Sequence, residues 1–197
     1  MKRQGMDNVL VLVFSSAVIY LFLAIIMAVI PGAVMSRIPP GVGVVPLNAA
    51  QSRGRAVFVG EGCSYCHTQQ VRPLAQDRVW GRPSVAGDYA YSTPQLLGSE
   101  RTGPDLTNIG ARQPSEVWQS IHLYEPRALV HGSIMPAYPW MFIAKAHPNP
   151  GDVVVPVPPV YAPRGEVIVE TPEEQDLVAY LLSLKQPPLP SPSPLSP

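Results

Sequence analysis

The chain has 197 residues, and its 14 lysines and arginines are balanced by 14 aspartates and glutamates, so the formal net charge is zero. No overall field draws it to nucleic acid, whose polyanionic backbone is met by clustered basic residues. Only two cysteines are present, too few for a disulfide framework or a four-thiolate zinc site.

The chain opens on an apolar run. From Val9 to Ile30 no residue is charged, and only Ser15, Ser16 and Tyr20 are polar. As a helix this run is roughly 33 Å long, against a hydrocarbon layer of about 30 Å. Pro31-Gly32 is expected to end it, giving a membrane anchor over residues 1–33. The run outlasts a signal-peptide core of about 7–15 residues, and no A-x-A site follows, so the anchor is expected to stay on the mature chain. Lys2 and Arg3 precede it and Arg37 alone follows closely. The positive-inside tendency then puts the N-terminus in the cytoplasm and the rest on the outer, periplasmic side of a bacterial inner membrane.

Many of the 25 prolines gather in three stretches, 31–46, 148–163 and 187–197. The first makes residues 34–50 a stiff linker that lifts a domain over residues 51–186 off the membrane. The last makes residues 187–197 a low-complexity Pro/Ser tail, expected to be extended or disordered.

Inside the domain, residues 52–59 predict a short helix with Gly54 and Phe58 on one face. Cys63-Ser64-Tyr65-Cys66-His67 then spells C-x-x-C-H. Two thiols three apart on one helical turn can each add across a vinyl group of one haem, and the next histidine sits beneath its iron, so the motif reads as attachment of a single covalent haem c. A thioredoxin-like redox pair is the other reading, although that pair needs no following histidine. For the second axial ligand, Met1, Met6, Met27 and Met35 lie in or near the anchor, which leaves Met135 and Met141. Met135 leads, because its aromatic and proline-rich surroundings, Ser133 to Trp140, suit a rigid loop, and a thioether raises the potential of an electron carrier. His122, His131 and His147 are the alternatives for bis-histidine ligation. Residues 141–170 read as an insertion in which 152–157 and 165–170 pair as a small β-hairpin, more a neutral surface feature than a haem cover or a subunit contact. Thr171-Pro172-Glu173-Glu174 starts a final helix whose Leu177, Tyr180, Leu181 and Leu184 form one apolar stripe.

A Gly-x-x-x-Phe helix crossing a C-terminal helix with a central aromatic, placed around C-x-x-C-H, resembles the all-helical cytochrome c fold. The expected fold is therefore mostly α: one transmembrane helix and a cytochrome c-like haem domain with a small hairpin insertion. The same resemblance gives Arg101-Thr102-Gly103-Pro104-Asp105-Leu106 a part. In cytochromes c a T-G-P-x-L turn offers the proline carbonyl to the proximal histidine, so Pro104 is expected to hold His67. Arg101 and Gly103 are expected beside the haem.

The run from Gly54 to Trp140 also resembles the monohaem cytochrome c subunit of cbb3-type (C-class) haem-copper oxidases. Glu61-Gly62-Cys63 through His67 carries the likeness, with Gln69, Arg72-Pro73, Ser84 to Gly87, Gly98-Ser99, Arg101 to Leu106, His122-Leu123-Tyr124, Pro126-Arg127 and Ser133 to Trp140. The resemblance implies an electron-transfer subunit, with no catalytic centre of its own, in a complex that reduces oxygen to water and pumps protons. Its implied partners are a haem-copper catalytic subunit, further cytochrome c subunits and a donor cytochrome c. Two other functions fit the haem motif: the cytochrome c subunit of nitric oxide reductase, and a free membrane-anchored carrier or sensor. The segment between Arg72 and Arg101, with Trp80, Pro83, Tyr89, Tyr91 and Pro94, exceeds what one haem needs and suits a docking surface.

Overall fold

A computed structural model describes residues 2–98 and 100–188, with side chains from residue 8 onward. Ser99 and the Pro/Ser tail beyond Pro188 lie outside the described residues. The chain divides into two units, Met1–Pro39 and Pro40–Pro197.

Most of the first unit is a single helical run. Helix α1 (Lys2–Ala24) passes into a π-helical turn at Ile25–Val29 and then into α2 (Ile30–Met35). Asn8–Met35 is, at 28 residues, long and apolar enough to cross a membrane. Ser15 and Ser16 donate their hydroxyls to the carbonyls of Leu12 and Val13, each at 3.0 Å, so neither brings an unmatched polar group into the apolar run. Pro31 does not end the helix, contrary to expectation. In a regular α-helix its ring would strike the carbonyl four residues back and leave that oxygen without a donor. The π-turn just before it, closed by Ile30 N–H on the Ile25 carbonyl, widens the backbone there.

The second unit begins earlier than the expected residue 51. Gly41 N–H bonds the Gly87 carbonyl at 3.0 Å, so the last part of the proline-rich linker lies against the domain. Helix α3 (Ala49–Gly60) starts at a reciprocal cap in which Asn48 and Gln51 each bond the other's backbone N–H at 2.9 Å. It buries Gly54 and Phe58, as the sequence predicts. The short α4 (Cys63–Cys66), α5 (Ile109–Arg112) and α6 (Glu116–Tyr124) follow, and α7 (Pro172–Ser183) closes the domain behind its Thr171 cap. Helices α3 and α7 make the principal helix–helix packing. A Cβ at Gly54 would overlap the Asp176 carbonyl and the Tyr180 side chain, so only glycine permits this approach. Phe58 and Tyr180 then meet edge to face at 5.6 Å, and the Arg53–Asp176 ion pair at 2.6 Å closes the exposed rim.

Residues 141–170 differ from expectation in two ways. The hairpin forms, with β2 (Val154–Val155) against β3 (Val167–Glu170), but β1 (Phe142–Lys145) adds a third antiparallel strand and makes β3 central. Nor is the insertion a neutral surface feature. Phe142, Val155 and Ile168 belong to the same buried cluster as Phe58 and Leu177, and Ser120 on α6 bonds Glu170 at 2.9 Å. Ile168 and Val169 of β3 are both buried, on opposite faces of the strand, and Ile168 is the one that joins this cluster.

Candidate functional site

A narrow apolar cavity lies between α3, α6, α7 and the turn at residues 104–109. Phe58, Leu106, Ile109, Leu123, Leu177 and Leu181 supply its greasy walls, and Cys63, His67, Pro104, Trp118, Gln119, His122 and Met135 complete them. Cys63 and Cys66 stand at the two ends of α4, unpaired with each other, and His67 caps that helix. The Cys63 thiol is pushed up to about 11 by burial and then by nearby Glu61. A redox-active C-x-x-C needs a thiol shifted the opposite way, so this environment disfavours the thioredoxin-like reading.

His67 is aimed by its neighbours. Its Nδ1–H donates to the Pro104 carbonyl at 2.7 Å, which fixes the tautomer and leaves Nε2 with a free lone pair. Burial lowers its pKa, partly offset by the Pro104 bond, so the ring is neutral and able to bind a metal. Gly103 crosses so closely that a Cβ would strike the imidazole, and its N–H bonds the Cys66 carbonyl at 3.0 Å.

Met135 lies on a loop fastened at three points. Its own N–H meets Ser133 Oγ at 3.3 Å, Tyr138 N–H bonds the Leu123 carbonyl at 2.9 Å, and the Trp140 indole bonds Glu61 at 3.1 Å. The last bond ties this loop to the turn that opens the C-x-x-C-H segment. Met141, the other methionine, is packed in the core and does not line the cavity. Of the spare histidines, His131 and His147 are exposed, and only His122 lines it.

Arg101 is not brought to the cavity. Its guanidinium lies 4.7 Å over the Trp80 ring, pairs with Asp77 and with Asp105, the latter at 3.8 Å, and bonds the Gln70 carbonyl at 2.6 Å. Asp77 and Asp105 are fully buried. Asp105 also accepts from Thr68, Gln70 N–H and Thr107 N–H, while Arg72 and Arg101 hold Asp77 far below the usual carboxylate range. The excursion from residue 72 to 101 is thus fastened to the domain at its end through the Arg101 guanidinium, and at its middle through Arg82, which donates to the Pro187 carbonyl at 3.0 Å. Of its aromatics, Tyr91 is exposed, whereas Tyr89 reaches inward to the Gln69 carbonyl at 3.0 Å.

The sequence reading missed this buried charge network, and it missed Trp118 and Gln119 as cavity walls. Buried aspartates look like surface ones in a sequence. The i, i+4 spacing of Trp118 and His122 was the one available signal, since it puts both on one face of α6.

The residues fit a haem. The Cys63 thiol, an aimed neutral imidazole and a thioether border one slot with apolar walls, and the second free thiol, Cys66, stands at the other end of the same helical turn. No individually curated protein matches the chain. The family model described as cytochrome C oxidase, mono-heme subunit/FixO matches residues 4–150, from the apolar helix through the methionine loop and β1. The chain therefore belongs to the FixO family of mono-haem cytochrome c oxidase subunits.

Proposed function

We propose that this chain is a membrane-anchored electron relay that holds one covalent haem c and passes electrons from a donor cytochrome c to a haem-copper catalytic subunit. The observation that carries the reading is the His67–Pro104 bond, which turns the free Nε2 of a C-x-x-C-H histidine toward the cavity that Met135 also lines. When bound, haem c supplies an iron that cycles between ferric and ferrous and so carries one electron.

The chain's own residues do the rest. Cys63 and Cys66 would hold the haem covalently, each S–H adding across a vinyl group with sulfur on one carbon and hydrogen on the other. His67 would hold the iron, and Pro104 keeps that ring oriented and more basic. Met135 would be the iron's second protein ligand, so that this chain would carry electrons without binding oxygen itself. Phe58, Leu177 and Leu181 exclude water, which disfavours the extra charge of the ferric state and keeps the potential high. The helix across Asn8–Met35 confines the domain to the membrane face and raises its effective concentration at a membrane partner. The N-terminus is cytoplasmic and the haem domain periplasmic in this reading. The 72–101 excursion and the 101–106 turn are the contact surface for the catalytic subunit in this reading. Oxygen reduction and proton pumping belong to the complex.

The test is direct. Denaturing electrophoresis should leave haem-dependent peroxidase staining on a band near 21.3 kDa, and replacing both Cys63 and Cys66 by alanine should abolish it. Covalent haem that survives the double substitution overturns the reading.

A further inference from the structure

Three side chains bring strong polar groups to the cavity: His67, Gln119 and His122. Two have partners within the protein. His67 Nδ1–H is taken by Pro104, and Gln119 Nε2–H bonds the Gln113 carbonyl at 2.9 Å. His122 differs. Its Nδ1 is buried and has no hydrogen-bond partner among the described residues, the Met135 sulfur included. Its ring is held flat against Trp118, with centroids 4.6 Å apart and planes 14° from parallel, so it does not turn freely toward another acceptor. Burial pushes its pKa down to about 4, and the neutral ring carries one N–H and one lone pair.

A buried polar nitrogen without a partner is uncommon in a native fold and signals a group that arrives later. Haem is that group if the preceding functional reading holds, on which this inference rests. Its rim is hydrocarbon apart from two propionates, and its iron is already claimed by His67 and Met135. We infer that His122 is a haem-positioning residue that donates its Nδ1–H to a propionate carboxylate. Such a bond draws negative charge from the carboxylate and lessens its stabilisation of ferric iron, so the bond holds the reduction potential up.

The haem-loaded full chain in detergent provides the test. His122→Phe should retain covalent haem and the charge-transfer band of methionine-ligated ferric iron, lower the midpoint potential, and shift the propionate bending mode in the resonance Raman spectrum. His122→Asn, whose side-chain N–H can replace the donor, should recover part of both changes. Loss of the methionine band in His122→Phe would mean that the ring acts on Met135 or on the iron and would overturn the proposal. So would a potential and a propionate mode that both stay put. Should His122→Phe fail to accumulate, the unsubstituted ferrous protein labelled with 15N-histidine decides. A slowly exchanging Nδ1–H with a cross-relaxation peak to propionate methylene protons supports the bond, and its absence sinks it. Failure of the unsubstituted chain to carry covalent haem strikes first at the haem reading, so the two failures are distinguishable.

Discussion

His67 is aimed by two neighbours that act in different ways, Pro104 by a hydrogen bond and Gly103 by having no side chain. Gly103→Ala would press a methyl group into the imidazole, so the ring must tilt or the turn must retreat. On the far side, Met135→His should keep the iron six-coordinate, remove the methionine charge-transfer band and lower the potential, because imidazole is the stronger donor to ferric iron. A band that survives Met135→Ala would transfer the ligand's role to another residue. Much of this site was legible in the sequence, because Cys63, Cys66 and His67 are fixed by local spacing and Pro104 by a short turn. The surroundings of Arg101 were not legible, for a physical reason. An arginine two residues before Gly103 looks free to meet a carboxylate on the cofactor, and nothing local reveals that Asp77, 24 residues earlier, already occupies it.

Helices α3 and α7 carry the domain's packing, and their contact depends on one missing methyl group. Gly54→Ala should destabilise the domain by about 1–3 kcal/mol, the usual range for overpacking, since the intruding Cβ meets backbone rather than a movable side chain. A denaturant midpoint that does not fall would show that α3 can slide along α7 at no cost. The first turn of α7 adds a pH dependence. Glu174 is fully buried, and burial first and Glu170 second push its pKa up to about 8 from an ordinary 4.5. The native state therefore keeps a proton that the unfolded chain has lost. This contribution to stability is complete below about 4.5 and disappears as pH rises through about 8. Thermal midpoints across that window should fall with pH, and Glu174→Gln should flatten the slope; an unchanged slope would assign the effect elsewhere. Helix α7 was visible as an apolar stripe behind a cap, and α3 only as the Gly54–Phe58 face of a helix expected over 52–59, because its Asn48 cap was not read. Strand β1 was not, because the four residues Phe142–Lys145 have too little length to show a period of two. Its partner is 25 residues further on at β3, and pairing at that range decides what the local sequence leaves open.

At the scale of the whole molecule, a tethered relay is useful only beside its acceptor. Gentle detergent extraction should bring down a many-helix subunit containing haem and copper, and the assembly should consume oxygen when supplied with reduced cytochrome c. Met135 variants that still assemble should lose that turnover. A chain that purifies alone, or with a copper-free partner consuming nitric oxide, would refute the assembly while leaving the haem intact. The π-turn in the apolar helix bears on how that assembly is built. A bond that closes over five residues instead of four inserts one residue into the winding, about 100° of rotation. Side chains of Asn8–Ala24 and of Ile30–Met35 that an unbroken 3.6-residue count would align therefore point along different azimuths. A neighbouring helix that follows one seam below Ile25 meets a different seam above Val29, so a single-residue deletion within 25–29 should realign the two seams and disturb docking without shortening the apolar span appreciably.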